Sequence, residues 1–186
     1  ALLFLKQNRM VPKEFIYVNI GGSTQQKHWP ADKCVSLIKL ILQNTSLSIV
    51  LGGGPEDVDR ADSIKKPLDR QRVVCSTHRP IRANCALIAQ ARMLITPDSG
   101  PMHIGFALKV PTIALFWSSD SKGTTPRNPL NGSDYCGPLK IDKSLNAVLY
   151  GNFHRTKKED NPEYPFLNPI LVSEVWEKIL GFLKTK

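Results

Sequence analysis

The sequence predicts an α/β fold built on a parallel sheet with helices on both faces. Three observations carry that expectation. Runs of four to seven residues recur that are apolar throughout, as strands buried on both faces must be. Segments with helical periodicity separate them. Several of the runs end in glycine or in a turn containing proline, the usual punctuation between a strand and the next helix.

The first strand is expected over Phe15 to Gly21, an apolar run that ends in glycine. Ala31 to Gln43 then places Cys34, Leu37, Ile38, Ile41 and Leu42 on one helical face. Leu47 to Gly52 reads as a second buried strand. Behind it, Pro55, Glu56 and Asp57 supply the proline and acids that favour a helix start. A third strand and helix follow at Val73 to Ser76 and Arg82 to Ala91. Met93 to Thr96, a helix over Pro101 to Leu108, and the strand Thr112 to Phe116 complete the alternation. Residues 118–134 are rich in Ser, Gly, Pro, Asn and Asp and read as a long polar loop; 142–168 show no clear period. A last amphipathic helix is expected over Ser173 to Leu183, with Val175, Trp176, Ile179, Leu180 and Leu183 on one side.

Composition bounds the function. The 186 residues suit one domain with a sizeable core, and 41% hydrophobic with 22% charged residues is ordinary for a folded soluble protein. The apolar run Ala1 to Leu5 is too short for a membrane span. Cys34, Cys75, Cys85 and Cys136 form no CxxC pair; the first three fall in predicted helices and strands, where buried thiols are expected, and a reducing cytoplasm fits best. The net charge of +9 is uneven: residues 60–92 carry eight Lys/Arg against two acids, giving +6 there. Such a stretch suits an anionic partner, or is simply a solvated face.

In an open α/β sheet, ligands gather at the carboxyl ends of the strands. Three strand exits carry chemistry. In Gly21-Gly22-Ser23-Thr24-Gln25-Gln26-Lys27, paired glycines allow close backbone approach, Ser23 and Thr24 add hydroxyls, and Lys27 adds a mobile cation. Gly52-Gly53-Gly54-Pro55-Glu56-Asp57 fails the GxGxxG dinucleotide fingerprint, because Asp57 stands where the last glycine is needed. Glu56 either accepts hydrogen bonds from ribose hydroxyls or is an ordinary acid of a helix first turn. The sharpest exit is Thr96-Pro97-Asp98-Ser99-Gly100-Pro101-Met102-His103, a strand running through a tight turn into a helix with proline in its first turn. Amides near Ser99, Gly100 and Met102 are expected to point toward an anion, with His103 donating to a phosphate or sugar oxygen. Asp98 either braces the turn or binds a sugar hydroxyl. No carboxylate cluster suggests a Mg²⁺ site, and neither a metal nor another cofactor is expected.

These blocks, from Phe15 to Phe116, resemble the ADP-heptose:lipopolysaccharide heptosyltransferases. They are Gly21-Gly22 through Lys27-His28-Trp29-Pro30, Gly52 to Asp57, and Asp98 to His103 followed by Ala107-Leu108, Val110-Pro111 and Ala114-Leu115-Phe116. The resemblance implies a Rossmann-like sheet forming the C-terminal, donor-binding domain of a GT-B glycosyltransferase. Residues 1–14 are then the tail of an interdomain linker, and 15–186 the nucleotide-sugar domain. The acceptor domain, with the general base, lies outside this chain. By carry-over, Ser23, Thr24 and Lys27 face the donor phosphates, Glu56 reaches the ribose, and Asp98, Ser99, Gly100 and His103 line the diphosphate and sugar. The implied partners are an ADP-sugar donor and, through the other domain, the lipopolysaccharide core at the cytoplasmic face of the inner membrane. The chain departs from the pattern at Pro97, and at Trp117, where glycine is common. Rival readings are a transferase for another nucleotide sugar, a nucleotide-sugar epimerase, and a non-catalytic module whose donor site Trp117 blocks. A nucleic-acid binder is disfavoured, because no aromatic platform accompanies the basic stretch.

Overall fold

The computed structural model describes residues 1–22, 24–116, 135–136, 139–140, 144–150 and 167–184. A short helix, Leu2–Gln7 (α1), precedes the alternating elements. These run Phe15–Asn19 (β1), Ala31–Asn44 (α2), Ser48–Gly52 (β2), Val58–Lys65 (α3), Val73–Cys75 (β3), Ile81–Gln90 (α4), Met93–Pro97 (β4), Gly100–Ala107 (α5) and Thr112–Phe116 (β5). A small antiparallel pair, Tyr135–Cys136 (β6) with Leu139–Lys140 (β7), precedes Asn146–Tyr150 (β8) and the helix Val172–Lys184 (α6). The main sheet has the order β3-β2-β1-β4-β5-β8, and every neighbouring pair is parallel.

Residue parity explains why both faces are covered. Successive side chains of a strand point to opposite faces. Ile16, Val18, Ile49, Leu51, Met93, Ile95, Ile113 and Leu115 join one core, with Leu37, Ile38 and Ile41 of α2, Ile64 of α3 and Val175 and Ile179 of α6. The intervening Phe15, Tyr17, Val50, Val74 and Leu94 join another, with Leu87 and Ile88 of α4. Ala114 and Phe116 meet Met102 and Phe106 of α5. Trp29 fastens α6 to the body: the ring is buried, and its Nε1–H donates to the Ile170 carbonyl at 3.2 Å.

Three expectations are corrected. Residues 1–14 are more than a tail, because Phe4 and Leu5 of α1 and Met10 beyond it are buried in the second core beside Phe15 and Leu87. The stretch 142–168 is not irregular throughout. It contains β8, whose Asn146 to Tyr150 pair in register with Thr112 to Phe116. The first strand ends at Asn19 rather than Gly21, since Asn19 turns its amide back onto Gly21, as described below. The polar loop expected over 118–134, and Trp117 before it, lie outside the described residues.

Candidate functional site

The strand order reverses between β1 and β4, which run side by side while their following helices diverge to opposite faces of the sheet. Such a switch point opens a crevice at the carboxyl ends of the strands. A cleft of about 290 Å³ lies there. Its two glycine lips are Gly21 and Gly22 after β1 and Gly53 and Gly54 after β2; Ser99, Gly100 and Pro101 at the start of α5 form a third wall. Tyr17, Ile81 and Ile88 give it an apolar side, and Arg79 and Asn84 a polar one.

The turn after β4 is held from beneath. Asn19 is buried, and its Nδ2 donates to the Gly21 carbonyl (3.0 Å), Thr96 Oγ1 (3.2 Å) and Ser99 Oγ (3.1 Å). The Ser99 hydroxyl donates in turn to the Pro97 carbonyl at 3.1 Å. Its side chain is therefore engaged inward, and the backbone of Ser99 and Gly100 is what the turn offers outward. Among the described residues, neither of these two amides donates to a carbonyl. The expected third amide is not available: Met102 N–H donates to the Ser99 carbonyl at 3.0 Å, closing a tight first turn. Asp98 N–H is likewise used, by the Leu115 carbonyl.

Lys27 stands beside this turn on a short 3-10 segment, Gln25–Lys27, and its Nζ lies 3.2 Å from Asp98 Oδ2. Asp98 thus pairs with Lys27. Neither side chain is among the residues forming the cleft walls; both lie next to Ser99 along the chain or through this contact.

On the opposite lip, Asp57 is buried, and its Oδ2 accepts the Gly54 N–H at 2.9 Å. A Cβ on Gly21 would come within 2.2 Å of that oxygen, and one on Gly53 within 2.7 Å. The carboxylate thus fills the space, between the ends of β1 and β2, where two side chains would begin. His28 Nε2 approaches Asp57 Oδ1 at 3.8 Å. Burial, then Arg60, push the His28 pKa below its usual value, and Asp57, the Gly22 backbone and Glu56 oppose that shift. Tyr17, packed under the cleft with its hydroxyl 3.3 Å from Ser76 Oγ, has its pKa pushed up to about 12 by burial and is a neutral phenol at physiological pH.

Of the residues singled out from sequence, Glu56, Ser99 and Gly100 form the cleft, and Lys27 and Asp98 pair at its edge. Thr24 is exposed as the cap of the 3-10 segment, His103 is exposed in the first turn of α5 outside the cleft walls, and Ser23 lies outside the described residues. Sequence reasoning missed Asn19, Tyr17, Asp57, Arg79 and Asn84. The signal for Asn19 was present, as a polar residue closing an otherwise apolar strand; Arg79, from the loop before α4, and Asn84, from α4 itself, arrive from distant sequence and carried none.

The basic stretch is less open than its charge implies. Arg72 donates to the carbonyls of Leu42, Thr45 and Leu47, Arg60 to that of Trp29, and the Arg79 guanidinium lies 4.8 Å from the Phe4 ring centre. Lys65, Lys66 and Arg70 gather around a separate surface hollow with Asp62. Burial raises the Cys34 thiol to about 12, and Cys75 is raised as well, so neither is a reactive thiolate. Among the described residues there is no group of three or more metal-ligating side chains and no helix long and apolar enough to cross a membrane.

Comparison with known proteins agrees with this fold. The model of glycosyltransferase family 9 (heptosyltransferase) matches residues 4–143. Lipooligosaccharide heptosyltransferase 2 of Campylobacter jejuni is 28% identical over 156 residues, which is 81% of this chain and 49% of that protein. Among solved structures, the family 9 glycosyl transferase of Veillonella parvula superposes with a TM-score of 0.75 at 22% identity, over 100% of this chain and 50% of the other. The E. coli heptosyltransferase WaaC, solved with ADP, gives 0.66 at 19% identity, over 92% and 45%. The chain spans about half the length of the curated relatives it matches. The Rossmann-like sheet is therefore the one found in half of these GT-B proteins, and the chain belongs to glycosyltransferase family 9, the heptosyltransferase family.

Proposed function

We propose that this chain is the donor-binding half of an inverting glycosyltransferase that moves a heptose from ADP-heptose to the lipopolysaccharide inner core. The observation that carries the reading is the cleft itself. It sits at the switch point of the sheet, framed by two glycine lips and the start of α5, with an ammonium at its edge. One helix N-terminus contributes roughly 0.3–1 kcal/mol to holding an anion, and each charge-assisted hydrogen bond roughly 1.5–3 kcal/mol. Ser99 and Gly100 amides, the glycine lips and Lys27 together suit a diphosphate without a metal, and the adjoining apolar side made by Tyr17, Ile81 and Ile88 suits a nucleobase.

Mechanistically, the donor's diphosphate is the leaving group, and negative charge grows on it as the sugar departs. Preorganised amides and the Lys27 ammonium are placed to stabilise that charge. Lys27 must leave Asp98 to do so, and the freed carboxylate is then available to a sugar hydroxyl. On this reading Glu56, on the cleft wall, accepts from the ribose, and His103, Thr24 and Ser23 keep their expected roles around phosphate and sugar. On this reading the donor domain takes in α1 as well, which packs into its core, and the base that activates the acceptor belongs to a second domain, so the chain alone should bind donor and transfer nothing. The heptosyltransferase relatives are what favour heptose over another sugar, and the WaaC structure with ADP is what favours adenine. The same reading places the protein in the cytoplasm, with Lys65, Lys66 and Arg70 touching an anionic bilayer.

A calorimetric titration tests the proposal. ADP should bind, and Lys27→Ala should weaken it about tenfold, as loss of a charge-assisted bond does. Failure of ADP, UDP and ADP-sugars alike to bind the folded chain would contradict it.

A further inference from the structure

We propose that His28 and Asp57 form a strut that fixes the spacing of the two glycine lips, and that both are positioning residues for the donor diphosphate. The inference rests on reading the cleft as a diphosphate site, but its geometry is independent of any ligand. One lip is Gly21-Gly22 and the other Gly53-Gly54. Asp57 joins the second lip directly, through its 2.9 Å bond from the Gly54 amide. The His28 ring packs against Gly22 on the first lip, where a Cβ would come 3.5 Å from its Cδ2, and its Nε2 faces Asp57 Oδ1 at 3.8 Å. A run of contacts therefore leads from Gly22 through His28 and Asp57 to Gly54. Its Asp57 end lines the cleft.

Two features show that this run is built in rather than incidental. The Asp57 carboxylate is buried at 3% exposure, where a charge without partners is costly. Gly21 and Gly53 both lack the side chain that would collide with it. The charged groups facing His28 come from every element around it: Asp57 and Glu56 from the loop after β2, and Arg60 from α3. Arg60 is itself held by the Trp29 carbonyl next to His28 in the chain. When His28 takes a proton, its attraction to Asp57 strengthens and Arg60 repels it. The spacing of the lips is then coupled to the charge on this one ring.

The ligand-free test is a pH titration of the chain followed by NMR. The Gly22 and Gly54 amides should shift with one common midpoint, that of the His28 ring, lying below the usual histidine value. In His28→Gln both steps should vanish. In Asp57→Asn the Gly54 step should vanish and the His28 midpoint should fall further, because the Asp57 charge opposes the lowering. A Gly54 amide that ignores His28 in the unmodified chain, or that still titrates in His28→Gln, overturns the strut.

ADP affinity gives the functional arm. At neutral pH, His28→Ala should weaken ADP by about fivefold, and His28→Gln, which keeps a neutral donor toward Asp57, should stay within about twofold of the unmodified chain. Equal loss in both variants, or no loss in either, contradicts a positioning role. An unmodified chain that does not bind ADP removes the donor reading, while the amide titration still decides the strut.

Discussion

Asn19 shows how much of the site depends on one side chain. Its buried amide reaches Gly21, Thr96 and Ser99, so it joins the exit of β1 to the turn after β4. Asn19→Ala should destabilise the fold by about 1–3 kcal/mol, the cost of leaving buried partners unpaired, and should weaken ADP even where Lys27 is intact. Urea denaturation and calorimetry on the same variant check both. Asn19→Asp should be worse still, because an acceptor-only group faces the Gly21 carbonyl. Two buried acids set a further expectation. Tyr17 and Cys34 each have a folded pKa raised to about 12, from ordinary values of 10.0 and 9.0. A raised folded pKa means stability that is intact below the unfolded value and lost as pH rises toward the folded one. Stability should therefore begin to fall above pH 9.0 and fall faster above 10.0, by roughly 1.4 kcal/mol per pH unit per group. Urea midpoints across that range check it, and Tyr17→Phe should flatten the upper part.

Among the elements, α5 is the one whose placement the cleft most depends on. Gly105 lets it lie close on the sheet: a Cβ there would come within 2.6 Å of Leu94 Cδ2 and 2.6 Å of Thr112 Oγ1. Gly105→Ala should push the helix outward, cost about 1–3 kcal/mol as an overpacked contact, and move the Ser99 and Gly100 amides with it. Thermal unfolding and ADP affinity should both register the change. Elements like α5 were legible in the sequence because proline in the first turn, an apolar strand before it and another behind leave little choice. Thr112 to Phe116 is a strand with the very bounds its five apolar or β-favouring residues imply. β8 was not legible. Asn146 to Tyr150 is short, lies beside polar and unpatterned sequence, and becomes a strand by pairing with β5. The packing of α1 was hidden for a related reason, since six residues carry too little periodicity to show which of Leu2, Leu3, Phe4 and Leu5 point inward. Within the site, the glycine lips and the Ser99-Gly100 turn were readable from local chemistry alone. The Lys27–Asp98 pair and the Asp57–His28 contact were not, because each joins loops that meet only once the sheet has formed.

At the scale of the molecule, a six-stranded parallel sheet with cores on both faces brings three loops, distant in sequence, to one end. Surface charge is a second property of the whole. With Arg60, Arg72 and Arg79 occupied internally, Lys65, Lys66 and Arg70 are the basic side chains gathered at one hollow. Reversing those three to glutamate should abolish sedimentation with anionic vesicles and leave ADP affinity unchanged; vesicle binding that survives the reversal would place the contact elsewhere. The most direct test of the central claim is the structure of the chain with ADP bound. The account requires diphosphate oxygens at about 2.7–3.2 Å from the Ser99 and Gly100 amides, with Lys27 withdrawn from Asp98 toward them. ADP seated away from the switch-point cleft, with the Lys27–Asp98 pair intact and that turn untouched, would contradict it.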